Sequence, residues 1–225
     1  MERKIITTAD GSKTIYIPEW NEHYHSKHGA IQEAYHVFVE YGLRYFLETN
    51  KPKQDLNILE IGFGTGLNAF ITLLESIRDG FAVNYTGVEA FPVSLEQALA
   101  MDYPKELNVD EVQNLFVKLH ETQWEETAEI TSIFSLHKRE LKFEEITDET
   151  KYDLVYFDAF GARVQPELWT EDIFEIMYKA LKNSGVLVTY SAKGSVRRAM
   201  QSVGFTVERL PGPPGKREML RATKS

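Results

Sequence analysis

The chain has 225 residues, 43% of them hydrophobic, with a formal net charge of −9 and no cysteine. That length suffices for one well-buried α/β domain and is short for two. The absent thiols exclude disulfides, thiolate zinc sites, iron–sulfur clusters and a cysteine nucleophile, and the negative balance argues against a protein that coats nucleic acid.

No apolar run approaches the roughly 20 residues of a membrane-spanning helix. Met1–Lys4 leads into polar sequence without the apolar stretch of a signal peptide, so a soluble, cytoplasmic protein with no membrane contact is expected. Thr14–Ile17, closed by Pro18, reads as a short strand. His23, His25 and His28 follow in close succession, but without a cysteine or a glutamate-rich helical partner this spacing is poor for zinc, and no metal site is expected. An amphipathic helix over Ile31–Glu48 gathers Ala34, Val37, Phe38, Tyr41 and Tyr45 on one face, with Gly42 in its middle at a cost in helix propensity. Residues 1–50 are expected to form an N-terminal extension packed on a domain of residues 51–225, the two making one structural unit.

After the polar breaker Asn50–Asp55 comes the stretch Leu56–Asn68, an apolar strand, a glycine turn and the start of a helix. Gly62, Gly64 and Gly66 permit a tight turn and close approach of backbone N–H groups to a ligand. Glu60 precedes the turn, and Glu89 ends the next apolar run, Val83–Glu89, where its carboxylate can accept both hydroxyls of a ribose. This much leaves NAD, a flavin or a nucleoside sulfonium open. Helices are expected over Leu67–Arg78, stopped by Asp79-Gly80, from Pro92 through Leu99, and over Asp110–Leu119. Gln123–Glu129 reads as a solvated acidic face, Ile130–Leu136 as a third strand, Glu140–Ile146 as a short helix or strand, and Thr147–Thr150 as a turn.

Tyr152–Phe160 contains a buried-looking strand ending in Asp158. Side chains at carboxyl ends of strands in an open α/β sheet face the ligand crevice, which places Asp158 beside the glycine turn and Glu89. The loop Gly161–Leu168 is placed to close over a substrate, and Thr170 can cap a helix with Glu171 and Asp172 in its first turn. Ser184–Ser191 is a strand and Gly194–Ser202 a helix. Phe205–Leu210 and Arg217–Ala222 form a terminal antiparallel hairpin, because Pro211–Gly215 is too short for a parallel crossover. Eight lysines and arginines lie from Lys193 to Lys224, against only Glu208 and Glu218. A localised anion-binding surface and a solvated basic end both fit that reversal of sign.

These motifs together resemble the tRNA 5-aminomethyl-2-thiouridine methyltransferases, which occur as one half of the bifunctional MnmC enzymes or as free-standing MnmD proteins. The resemblance is carried by Ser26–Glu33 with His36–Phe38, by Glu60–Asn68, Gly87–Pro92 and Phe157–Trp169, and most specifically by Ser191–Leu220, with Val196-Arg197-Arg198 and Gly215–Leu220. It implies an α/β, Rossmann-like class I S-adenosylmethionine-dependent methyltransferase fold, a mostly parallel sheet ending in an antiparallel hairpin. It also implies transfer of a methyl group from S-adenosyl-L-methionine to the aminomethyl group of a wobble (2-thio)uridine. The bifunctional members carry a flavin-dependent domain for which this chain has no room, so a free-standing enzyme is expected.

Carried onto this sequence, the resemblance makes Asp158 the catalytic carboxylate. Glu60, Gly62, Gly64, Gly66, Asn68 and Glu89 become cofactor-binding, and Glu140 is the loosest match, near adenine. Phe160 and Trp169 would stack on a flipped base, or serve equally as core aromatics. Arg197, Arg198, Lys216 and Arg217 would contact phosphates of the tRNA anticodon region. No protein partner is implied. The alternative is a methyl- or aminopropyltransferase acting on a small amine.

Overall fold

Two sheets organise the chain in the computed structural model, which describes residues 2–51 and 54–225. The small sheet is antiparallel, in the order β1–β2–β3, and consists of Lys4–Thr7 (β1), Lys13–Ile17 (β2) and Glu22–His23 (β3). The large one comprises Leu56–Ile61 (β4), Val83–Val88 (β5), Thr127–Thr131 (β6), Phe134–Arg139 (β7), Tyr152–Phe157 (β8), Leu181–Thr189 (β9), Phe205–Pro211 (β10) and Glu218–Lys224 (β11). Its spatial order is β10–β11–β9–β8–β4–β5–β7–β6. The five inner strands from β9 to β7 pair in parallel, whereas β6 on one side and β11 and β10 on the other run antiparallel. The expected terminal hairpin is therefore present, with β11 inserted between β9 and β10.

Helices cover both faces, as parallel strands buried on both sides require. They are Ala30–Ala34 (α1), Tyr45–Asn50 (α2), Leu67–Asp79 (α3), Leu95–Leu99 (α4), Tyr103–Glu106 (α5), Gln113–Glu121 (α6), Glu171–Ala180 (α7) and Gly194–Ser202 (α8). A π-helical stretch, Tyr35–Arg44, joins α1 to α2, so the single helix expected from Ile31 to Glu48 runs from Ala30 to Asn50 with a widened middle. Gly42 has a packing reason there: a Cβ on it would lie 2.9 Å from Val188 Cγ2. One face of the sheet is sealed by Phe38, Phe70, Tyr85 and Tyr156, the other by Phe157, Phe174, Met177 and Met200.

Several expected elements differ in detail. The single strand expected over Ile130–Leu136 is the turn of a hairpin between β6 and β7, in which the Thr131 hydroxyl accepts from the Ile133 N–H at 3.3 Å. The helix expected from Pro92 begins at Leu95, where Ser94 and Gln97 form a capping box. Glu140–Ile146 yields only a 3₁₀ turn, Phe143–Glu145. Thr170 does precede α7, but its hydroxyl donates to the Glu167 carbonyl at 3.3 Å instead of capping the helix. Among the described residues no helix is long and apolar enough to cross a membrane.

The chain winds outward from β4 in both directions, through β5 to β7 and through β8 to β9. The crevice at the carboxyl ends of β4 and β8 is consequently the topological switch point where ligands enter such sheets. Gly62 sits in it with φ +87, and a Cβ there would lie 2.6 Å from the backbone oxygen of Asp158. Because both sides of that contact are backbone, neither can yield. Gly62→Ala is expected to lower the unfolding free energy by about 2–4 kcal/mol in urea titrations. Gly80→Ala, where φ is +72 but nothing lies within 4 Å, should cost only about 1 kcal/mol.

Candidate functional site

The switch point opens into a cavity of about 1090 Å³. Its floor is the turn after β4, where Gly62, Phe63 and Gly64 lead into α3, and its roof comes from the small sheet and the segment after it, through Trp20, Tyr24 and His25. That roof is strapped down at two points. Arg3 donates to the backbone oxygens of Phe91 at 2.7 Å and Pro92 at 3.1 Å. Arg163, in the loop after β8, reaches the Glu22 carboxylate at 2.9 Å and the Asn21 carbonyl at 3.1 Å.

Three strand ends contribute carboxylates. Asp158 follows β8 with its backbone N–H donating to Ile61 O at 2.9 Å, which fixes it against β4. Asn68, in the first turn of α3, donates through Nδ2 to Asp158 Oδ2 and to Glu60 Oε1, both at 2.9 Å. Tyr85 completes the group by donating its hydroxyl to Glu60 Oε2 at 2.9 Å. Burial pushes the Asp158 carboxyl up to about 7, assisted by the charge of Glu33 and opposed by the Asn68 hydrogen bond and by Lys216. Burial likewise raises Glu60 well above the usual carboxylate range. Glu89, after β5, accepts from the N–H of Gly64 at 3.1 Å and of Phe91 at 3.0 Å, bonds that oppose the upward push of its burial.

The residues expected to form the site separate into two sets. Glu60, Gly62, Gly64, Asn68, Glu89, Asp158, Phe160 and Lys216 all line the cavity. Gly66 does not, since a Cβ on it would meet the His120 ring at 2.8 Å, so it serves the packing of α3 on α6. Glu140 is exposed outside the cavity, its backbone N–H donating to Glu125, and the wall nearby is made by Lys142, Phe143 and Glu144. Trp169 is buried, donating Nε1–H to Phe160 O at 2.8 Å and packing edge-on to Phe157; it is a core aromatic and cannot stack on a base. Arg197, Arg198 and Arg217 lie outside the cavity, with Arg198 and Arg217 exposed. Lys216 parts from them, bound to Glu33 at 2.5 Å inside the wall.

Tyr24, Glu33 and Tyr190 are wall residues to which the sequence reading assigned no role. Tyr190 directly follows β9, so the strand-end rule that selected Asp158 could have found it. Glu33 lay within the stretch Ser26–Glu33, but nothing local distinguished it from a solvated helix residue.

The donor set suits a nucleoside sulfonium. Glu89 keeps lone pairs beyond its two backbone bonds, the buried Asn68 Oδ1 has no partner among the described residues, and the neighbouring carboxyls favour a cation over the pyrophosphate of a dinucleotide.

Comparison with known proteins agrees. The family described as S-adenosyl-L-methionine-dependent methyltransferase matches residues 105–225. The "tRNA 5-methylaminomethyl-2-thiouridine biosynthesis bifunctional protein MnmC" of Cupriavidus metallidurans is 27% identical over 227 residues, covering 95% of this chain and 33% of that protein. Its counterpart in Burkholderia multivorans is 29% identical over 223 residues, covering 92% and 33%. The chain thus spans about a third of the length of these curated relatives. The crystal structure of MNMC2 from Aquifex aeolicus superposes with a TM-score of 0.77 at 27% identity, over 100% of this chain and 70% of that one. Spermidine synthase from Thermotoga maritima shares the fold, with a TM-score of 0.57 at 13% identity over 99% and 70%.

A carboxyl raised from 3.8 to about 7 binds its proton more tightly folded than unfolded. Its contribution to stability is therefore full below the unfolded value and is lost as pH rises through the folded one. Asp158→Asn should accordingly stabilise the protein by about 2–4 kcal/mol at pH 8, an advantage that shrinks towards zero near pH 4 in denaturant titrations.

Proposed function

The chain belongs to the S-adenosyl-L-methionine-dependent methyltransferases, and we propose that it methylates the primary amine of 5-aminomethyl-(2-thio)uridine at the wobble position of tRNA, giving 5-methylaminomethyl-(2-thio)uridine. The observation that carries this reading is Asp158, a carboxyl poised near neutrality on the wall of the cofactor cavity. The printed names of the MnmC relatives support the substrate class.

S-adenosyl-L-methionine, when bound, supplies a methyl group activated by a sulfonium leaving group. Glu89 would accept the ribose hydroxyls, and the N–H groups and open surface of Gly62 and Gly64 would receive the rest of the cofactor beside Asn68. What this chain adds is alignment and proton handling. An alkylammonium must shed a proton before its nitrogen can act as a nucleophile. Asp158, whose ionised share grows as pH rises through about 7, pairs in that form with the ammonium, orients it and accepts that proton. Phe160, half-buried and edge-on to Trp20 and Tyr24, offers the surface on which an extruded base can rest.

Residues 1–50 act as the cover of the catalytic domain, 51–225, by roofing its cavity. Arg198 and Arg217, exposed on the basic C-terminal portion, would contact phosphates of the tRNA anticodon region, whereas Lys216, inside the cavity, is withdrawn from that role. The acidic wall also suits a small polyamine, which keeps a methyl- or aminopropyltransferase acting on such an amine as the second reading.

Incubation with labelled S-adenosyl-L-methionine and, separately, hypomodified tRNA, bare nucleoside or polyamines separates the two. Label at the tRNA wobble base alone is expected, and label in the polyamine would replace the first reading by the second. Asp158→Asn should keep cofactor affinity within about twofold while turnover falls by about 10²-fold or more. Binding of tRNA should weaken steeply with salt, and Arg198→Ala with Arg217→Ala should reduce the log–log salt slope by about 2, leaving cofactor binding insensitive.

A further inference from the structure

The connection between β10 and β11 is docked onto the first helical segment at three places. His36 Nε2 lies 2.8 Å from Pro211 O, Gly215 packs against the His28 ring, and Lys216 Nζ lies 2.5 Å from Glu33 Oε2. The third contact is unlike an ordinary surface latch. Glu33 is buried, its other oxygen accepts from the Ser26 N–H at 3.2 Å, and the Lys216 ammonium rests over the Tyr190 ring, 3.8 Å from its centroid. Tyr190 is itself held, its hydroxyl donating to Ala159 O at 2.8 Å, so the ring face presented to the ammonium is fixed. A carboxylate and an aromatic face together immobilise a cation at a place where Glu33, Asp158, Tyr190 and Lys216 all line one cavity.

We propose that Lys216, clamped between Glu33 and the Tyr190 ring, is a positioning residue that biases Asp158 towards its carboxylate form before the substrate amine arrives. The proposal rests on the reading of Asp158 as proton acceptor.

The surroundings of Asp158 supply the physical reason. Glu33 from α1 is the carboxylate whose charge pushes Asp158 up, Glu60 at the end of β4 is itself driven by burial towards its proton, Glu89 lies further along the wall, Tyr190, Tyr85 and Tyr103 are phenols whose own ionisation burial suppresses, and Asn68 is neutral. His25, in the roof, is pushed down to about 4 by burial and carries no charge at neutral pH. Arg3, Lys27 and Lys142 also line the cavity, but the cation whose charge acts on Asp158 against burial and Glu33 is Lys216. It does so without occupying the acceptor. Lys216 pairs with Glu33, and the hydrogen bond to the Asp158 side chain comes from Asn68 to Oδ2, which leaves Oδ1 for the substrate. A lysine that paired directly with Asp158 would lower its proton affinity but block the amine. Placement one carboxylate away keeps the field and frees the site.

The test reads Asp158 directly. In protein labelled with ¹³C at the aspartate carboxyls, the Asp158 resonance is identified by its loss in Asp158→Asn, and its midpoint is followed against pH without cofactor or substrate. From a wild-type midpoint of about 7, Lys216→Met is expected to move it up by about one unit and Glu33→Gln to move it down by a similar amount, with Lys216→Arg near wild type. The opposite signs separate this role from a purely structural latch, whose loss would lower the melting temperature of both variants without moving the midpoint in opposite directions. Should Lys216→Met fail to fold, Lys216→Gln, which keeps a donor to Glu33 and removes the charge, is expected to give the same upward shift, and its absence would overturn the proposal. An unchanged midpoint in the folded variants, or shifts of the same sign, would overturn the proposal.

A second arm uses aminomethyl-bearing tRNA. Turnover by Lys216→Met should fall about threefold at pH 7.5 and recover near pH 9, whereas a loss equal at all pH values would count against the role. Absence of tRNA methylation by the wild type would defeat the functional reading and leave the titration result standing.

Discussion

Asn68 donates one amide group to two carboxyls, Glu60 and Asp158, that stand at the ends of neighbouring parallel strands. Parallel pairing of β4 with β8 in register forces those ends together, and the contact between Gly62 and the Asp158 carbonyl allows no side chain to separate them. Two carboxyls so close, in a site shielded from water, cannot both ionise freely, and a neutral amide bridge satisfies lone pairs without supplying charge. Glu60 is the more deeply buried, and burial drives it towards its proton even though the hydrogen bonds from Asn68 and Tyr85 pull the other way. Asp158 is left nearer neutrality, the condition a proton acceptor needs.

The placing of these acids at one crevice was legible in the sequence because it follows from rules that act along the chain, whereas the Asn68 bridge between two of them was not. An apolar strand ending in an acid puts that acid at the crevice, and Glu60, Glu89 and Asp158 all obey the rule, Glu60 before a glycine turn and Asp158 before an aromatic-glycine loop. Other features depended on distant partners. Trp169 looked available because it follows a loop, but Phe160 O takes its indole N–H and the core takes its ring. Glu140 lay in the right part of the sequence, yet β7 continues to Arg139 and carries Glu140 past the cavity, leaving Phe143 to form the wall. The hairpin of β6 and β7 was read as one strand because its two-residue turn lacks the glycine or asparagine that announces such turns.

The N-terminal segment shows what a short polar stretch can do once placed. Three short strands with an exposed outer strand have little core of their own, and their position is fixed by Arg3, Arg163 and the aromatic contacts of Trp20 and Tyr24 with Phe160. By roofing the cavity they remove water from the carboxyls beneath, and burial is the first cause of the raised proton affinity of Glu60, Glu89 and Asp158 alike. The cover is thus part of the electrostatics of the site as well as of its shape.

Charge counting along the sequence treated the eight cations of the C-terminal portion as one class, and folding divides them. Arg221 lies buried over the Tyr45 ring and pairs with Glu208, Lys224 donates to the carbonyls of Tyr178 and Leu181, and Lys216 enters the cavity. Lys193, Arg198 and Arg217 stay exposed, as does Arg209 beside Glu218, so the surface available to phosphates is smaller than the local net charge suggests. A cation in water attracts an anion weakly and over a screened distance, whereas one fixed beside buried carboxylates changes which of them holds a proton. Two adjacent cations therefore end in different surroundings: Arg217 faces solvent, where it could meet a phosphate, and Lys216 faces inward, fixed between Glu33 and the Tyr190 ring.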